Sequence, residues 1–157
     1  KLCYRAFCHA YWGCKKIDCN GCIGKFKDIN FGKKCLPNLI LDNHHESDIF
    51  KNYLEKSNLS VKYVLDQCLA KVDTGEFTFR DPTAVPINGD TPLCYPCALR
   101  KFKDLAYLFR FSIPKANLPG EVTARPDCHW GKNCRTQRHN INHAQRFNHV
   151  CDQTRLT

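Results

Sequence analysis

The stretch Arg125-Pro126-Asp127-Cys128-His129-Trp130-Gly131-Lys132-Asn133-Cys134, followed by His143-Ala144-Gln145-Arg146-Phe147-Asn148-His149, carries the most specific pattern in the chain. Cys128, Cys134, His143 and His149 offer two soft thiolates and two imidazoles. Such a set satisfies a tetrahedral Zn2+ and leaves no open coordination position, so the metal is expected to be structural and catalysis there is not expected. Five residues separate the cysteines, eight separate Cys134 from His143, and five separate the histidines. A DNA-reading finger has roughly two to four residues between its cysteines and about 12 before its first histidine, which makes room for a recognition helix. Eight residues that include Asn140 and Asn142 leave little room for one.

Outward from this stretch, cysteine usage points the same way. The chain has 12 Cys in 157 residues, about the level at which cysteine frameworks or metals, rather than core size, hold a fold together. Cys19 with Cys22, and Cys94 with Cys97, are Cys-x2-Cys pairs, the usual half-sites of structural zinc, which favours metal over disulfides. Eight cysteines, Cys3, Cys8, Cys14, Cys19, Cys22, Cys35, Cys94 and Cys97, suffice for two further ions, giving about three Zn2+ per chain. Their pairing stays open, and His9 is a possible substitute ligand. Cys68 lies on the apolar face of a helical pattern and reads as core; Cys151 reads either as an extra ligand or as a small buried residue. His44 and His45 read as exposed loop residues.

The formal charge is +9. Two sites of four thiolates, each carrying about −2 with its zinc, would bring it to about +5. The excess is concentrated between residues 125 and 157, where Arg125, Lys132, Arg135, Arg138, Arg146 and Arg155 face only Asp127 and Asp152. An anionic ligand is expected there. No apolar signal segment opens the chain at Lys1-Leu2-Cys3. There is also no run of about 18 apolar residues, which excludes a membrane-spanning helix.

The expected fold is a small, mainly α, zinc-stabilised irregular domain with about three helices, followed by a compact Cys2His2 finger. Residues 1–111 form the cysteine-rich multi-zinc domain, 112–124 a linker that can dock through Ile113, Leu118 and Val122, 125–151 the finger and 152–157 a tail. Apolar periodicity predicts helices over Glu46–Lys56, over Ser60–Asp73 with Ser60 as N-cap and Gly75 as terminator, and over Tyr95–Phe111 with Leu99, Phe102, Ala106 and Phe109 inward. Glu76–Arg80 alternates as a short strand does, and Asp81–Pro92 reads as loop.

The pattern of basic residue, Cys, aromatic-Gly, Cys, His and aromatic-x-His resembles the poly(ADP-ribose)-binding zinc finger family. Together with Tyr11-Trp12-Gly13-Cys14 and His149-Val150-Cys151-Asp152-Gln153-Thr154-Arg155, the whole chain resembles the C-terminal cysteine-rich region of checkpoint ubiquitin ligases that also carry forkhead-associated and RING domains. The resemblance implies a non-enzymatic module of a nuclear, mitotic-checkpoint ligase whose ubiquitin-conjugating partner binds domains outside these residues. The implied ligands are poly(ADP-ribose) and poly(ADP-ribosyl)ated proteins. It also implies Cys128, Cys134, His143 and His149 as zinc ligands and Trp130 as the ring that stacks on adenine. Arg135 and Thr136 stand where the family's ligand-facing pair stands, although many members have an aromatic followed by Arg there and this chain has Arg135-Thr136-Gln137.

Polymer chemistry suits these residue types. Each repeat presents adenine, ribose hydroxyls and pyrophosphate, so it needs a π-face, polar readers and cations close together. Arg125, Lys132 and Arg135 are candidate pyrophosphate contacts, and Gln137 and Asn148 candidate readers of hydroxyls or base edges. Phe147, pinned between two ligands, reads as finger core. The alternatives are a single-strand nucleic-acid module and a RING-like protein-interaction scaffold.

Overall fold

A computed structural model describes residues 24–29, 31, 33–77, 87–93 and 95–154. The expected ligands Cys3, Cys8, Cys14, Cys19, Cys22 and Cys94, the side chain of Cys97 and the candidate substitute His9 lie outside the described residues. The described part is mainly helical. Two-residue strands β1 (Gly24–Lys25) and β2 (Pro92–Leu93) pair antiparallel, Gly24 opposite Leu93 and Lys25 opposite Pro92. The helices are α1 (His44–Lys56), α2 (Val61–Asp73), α3 (Tyr95–Phe111), α4 (Gly120–Thr123) and α5 (Ile141–Arg146). Short 3-10 turns at Lys33–Asn38, Gly131–Asn133 and Thr136–Arg138 fill the intervals that matter for the site.

Backbone packing divides the chain into two units, one of residues 1–32 with 61–105, the other of 33–60 with 106–157. This division cuts across the linear expectation of a domain ending at residue 111. The C-terminal segment shares its unit with α1, and α3 contributes residues to both units.

In the first unit, Val64, Leu65, Cys68 and Leu69 fall on one face of α2 and are buried, as the helical rhythm requires. Phe102 is fully buried on α3 and stacks on Phe31 with ring centroids 4.8 Å apart. A fully buried aromatic of this kind stabilises the fold by about 1.5–3 kcal/mol. The Cys68 thiol donates to the carbonyl of Leu105 at 3.6 Å, and burial pushes its pKa up to about 12. Gly75 ends α2 in the left-handed region at φ +80°, its N–H donating to Val72 O. Glu76 and Phe77 form a bend rather than the start of a strand; 78–80 lie outside the described residues. Pro92 enters β2 at its first position, where a missing N–H is tolerated.

The second unit is built around α1. Asn43 is its N-cap, accepting from the Glu46 N–H at 3.0 Å. The helix therefore starts two residues before the expected position, and His44 and His45 stand in its first turn instead of a loop. Leu41 and Asp42 approach it in the left-handed region, at φ 58° and 53°, which costs roughly 1–2 kcal/mol per residue. Ser47 holds that turn: its hydroxyl oxygen accepts from Ile40 N at 3.0 Å and its hydroxyl faces Ile40 O at 3.4 Å. Phe50 and Phe109 meet edge to face, centroids 6.0 Å apart. The segment expected as a linker has structure of its own, with a 3-10 turn at Lys115–Asn117, α4 and the buried Ile113.

Candidate metal centre

The ligand atoms of Cys128, Cys134, His143 and His149 all lie within 4.8 Å of one another. Zn–S of about 2.3 Å and Zn–N of about 2.0 Å at tetrahedral angles require sulfur and nitrogen to lie about 3.6 Å apart. Cys128 Sγ stands 3.6 Å and Cys134 Sγ 3.4 Å from His143 Nε2. The ring of His149 is buried with neither nitrogen hydrogen-bonded. Two orphaned nitrogens in a buried ring are costly unless something else is coordinated there. Burial pushes the His149 pKa down to about 4, so the ring is neutral at physiological pH, the form that ligates a metal. Burial raises the Cys128 thiol, backbone N–H groups of Trp130 and Gly131 opposing it. A bound cation would reverse the balance and hold the thiolate.

Each ligand is placed by a local device. Trp130-Gly131 turns the chain between the cysteines, with Gly131 at φ +52°. A Cβ there would lie 2.5 Å from Cys151 O and 2.8 Å from Asp152 O, both backbone atoms. The glycine of the aromatic-Gly pair is thus required by close approach of the following chain. Residues expected as a tail close this turn: Thr154 N–H donates to His129 O at 2.8 Å and Asn133 Nδ2 to Gln153 Oε1 at 3.0 Å. His143 rides on α5, capped by Asn140 Oδ1, which accepts from His143 N at 3.0 Å. The gap thus holds the start of a six-residue helix, shorter than a groove-reading one needs. Phe147 is half-buried and packs its ring 5.0 Å from that of His143.

The N-cap and a first-turn residue of α1 hold the cluster from outside. Glu46, fully buried, accepts the backbone N–H of His149 at 2.8 Å with one oxygen and Arg125 Nη2 at 2.7 Å with the other. Arg125 Nη1 donates to the carbonyls of Phe147 at 3.1 Å and Ala144 at 3.4 Å, and Nε to Val122 O. Asn43 Nδ2 donates to Gln137 Oε1 at 3.0 Å, while Gln137 Nε2 donates to Cys134 O at 2.9 Å. Sequence reasoning missed Asn43 and Glu46. Their spacing, Asn-x-x-Glu ahead of an apolar rhythm, is a helix-start signature that could have drawn attention to them.

These bonds engage three of the expected ligand contacts in support of the cluster. Arg125 is nearly buried in an ion pair, Gln137 is 2% exposed, and both serve the cluster's support. Asn148 uses its amide to donate to Asp127 Oδ1 at 2.8 Å and Val150 O at 3.3 Å, fixing a backbone bridge. Of the other expected contacts, Trp130 and Lys132 are half-buried and Arg135 and Thr136 exposed. Lys132 pairs with Asp152 at 3.4 Å and lies 5.6 Å from the Tyr107 ring. Cys151 is settled as a buried residue outside the cluster, its thiol 3.5 Å from Asn148 O and pushed by burial up to about 11. Cys35 is buried in the turn Lys33–Asn38; among the described residues it joins no metal cluster.

A family model described as a cysteine rich domain with multizinc binding regions matches residues 1–113. The chain belongs to that family. Similar curated proteins include several named E3 ubiquitin-protein ligase CHFR. Those of Xenopus laevis, Homo sapiens and Danio rerio are 48%, 47% and 42% identical to this chain over 155 residues. Each alignment covers 99% of the chain but only 23–24% of the relative. The chain spans about a quarter of the length of the curated relatives it matches. The match to the multi-zinc family stops before Cys128, whereas the alignments with the ligases run on through the Cys/His cluster. Multi-zinc membership and the donor set of the cluster both support zinc as the metal. No helix among the described residues is long and apolar enough to cross a membrane.

Proposed function

We propose that residues 125–151 form a structural Cys2His2 zinc finger that recognises poly(ADP-ribose), and that the chain is the recruiting and regulatory region of a nuclear, mitotic-checkpoint ubiquitin ligase. The observation that carries this reading is the placement of Trp130, half-buried in the turn between two ligand cysteines, with Arg135 and Thr136 exposed just beyond the second. An aromatic face and a guanidinium on one metal-fixed loop provide stacking and charge at low ordering cost. Lys132, held by exposed Asp152 and lying over the Tyr107 ring, supplies a second cation. The chain binds and does not catalyse. Ubiquitin transfer belongs to other domains of the parent, which engage the ubiquitin-conjugating enzyme.

Poly(ADP-ribose), single-stranded DNA and RNA should be titrated against the zinc-replete chain at matched salt. Preference for poly(ADP-ribose) is expected; equal competition by DNA at physiological salt would transfer the reading to single-strand nucleic acid. About three Zn2+ per chain are expected, one in the finger and two held by the remaining cysteines. Metal analysis with thiol counting after chelation tests this; one equivalent with disulfides elsewhere would overturn the count.

A further inference from the structure

On the second unit, a cavity of about 310 Å3 opens beside the end of α3, lined by Arg110, Ile113, Lys115, Val122, Arg125 and Asp127 among others. Arg110 is 5% exposed, yet its Nε is buried without a hydrogen-bond partner. Buried guanidinium donors are ordinarily matched by acceptors, and one without a protein partner is left to strain, a water or an anion. Burial pushes the Arg110 pKa down, opposed by the carboxylate of Glu46. That carboxylate is already committed to Arg125 and to the backbone of His149, so it leaves the Arg110 Nε unserved.

The charges set the ligand's valence. Arg110, Lys115 and Arg125 contribute three positive charges, Asp127 and Glu46 two negative ones, leaving one positive charge around the cavity. A single negative charge matches it, and the planar fork of an arginine matches a carboxylate. Ile113 and Val122 supply an apolar wall. We propose that this cavity binds a monocarboxylate on a small apolar body, with Arg110 as the anchoring cation. The lining includes neither Trp130 nor Arg135, and the proposal stands whether or not the finger reads poly(ADP-ribose).

The test uses the zinc-loaded chain with N-acetyl-leucine, its uncharged amide and inorganic phosphate as probes, read by calorimetry and thermal shift. N-acetyl-leucine should bind at least about tenfold more tightly than the amide, the loss expected when one charge-assisted hydrogen bond is removed. Amide or phosphate binding as tightly as N-acetyl-leucine overturns the proposal. Arg110→Met should abolish carboxylate binding while the melting temperature stays level or rises, because a buried cation with an unsatisfied donor is replaced by an apolar side chain of similar length. A lower melting temperature with binding intact would mean a purely structural arginine and would also overturn it. Should that variant not fold, Lys115→Glu at the exposed rim must weaken N-acetyl-leucine severalfold and leave the amide unchanged; unchanged carboxylate affinity refutes the site. A peptide with a free C-terminal leucine separates the sources: tighter binding than N-acetyl-leucine assigns a protein C-terminus, equal binding a small carboxylate.

Discussion

Glu46 accepts the backbone N–H of His149 at 2.8 Å across 103 residues of chain, so one carboxylate in the first turn of α1 fixes the last ligand of the metal cluster. Its other oxygen holds Arg125, which in turn ties down the carbonyls after α5. The cluster and α1 consequently share one set of buried polar bonds. A Cys/His cluster on a segment too short to own a core borrows one from the helix.

Removing Glu46 should therefore act on the metal although Glu46 does not touch it. Glu46→Ala leaves the Arg125 charge buried and unpaired, a loss of about 3–5 kcal/mol. Zinc affinity of the cluster should fall about 10–100-fold, as it does when the groups that orient ligands are lost. Chelator competition and thermal melts check both. A double-mutant cycle with Arg125→Ala should be strongly non-additive; additive losses would show that the two residues act independently.

Gly131→Ala places a methyl group 2.5 Å from Cys151 O in a backbone conformation that disfavours side chains. Since the obstacle is backbone, the turn between Cys128 and Cys134 must open. A loss of roughly 1–3 kcal/mol is expected, with faster zinc release on chelation. Wild-type release kinetics would mean that the 151–154 segment can move away at no cost.

The helices were legible because apolar periodicity is local: α3 spans the expected Tyr95–Phe111, and Cys68 is buried on the α2 face where its spacing put it. The four-residue cluster was legible because thiolate and imidazole spacing reports metal chemistry directly. The supporting bonds of Arg125 and Gln137 were not legible because a basic or amide side chain in a basic segment looks the same whether it meets a ligand or a buried partner. Their partners, Glu46 and Asn43, lie 79 and 94 residues away, and no pattern of short period records such pairings. The division into units was hidden for the same reason: residues 33–60 join 106–157 through tertiary contacts, while the proline-rich segment 112–124 has the composition of a linker.

Cys68 gives a pH signature independent of zinc. Its folded pKa of about 12 lies above the ordinary thiol value of 9.0 because burial disfavours the thiolate. The protonated thiol is compatible with the core, so its contribution is complete below pH 9 and is lost as pH rises toward 12. In that window the unfolded chain has released the proton and the folded chain has not, a slope of up to about 1.4 kcal/mol per pH unit. Cys68→Val should flatten the alkaline loss of stability relative to wild type in paired denaturation series. Parallel curves would show that other groups carry the alkaline transition.

The last prediction separates reading from support within the proposed finger. Trp130→Ala should weaken poly(ADP-ribose) binding by roughly 1–3 kcal/mol at constant salt without changing the salt slope, because stacking releases no counterions. Arg135→Ala, at an exposed position, should lower both affinity and slope, the slope by about one unit. Arg125→Ala should also weaken binding, but by a different route: its guanidinium holds Glu46 and the carbonyls after α5, so binding and zinc content should fall together. Measuring zinc in each variant distinguishes the two routes. If Arg125→Ala keeps its full zinc complement yet loses poly(ADP-ribose) with a reduced slope, Arg125 contacts the polymer after all. If Trp130→Ala binds as wild type does, stacking on the loop between the cysteines is not how the ligand is held.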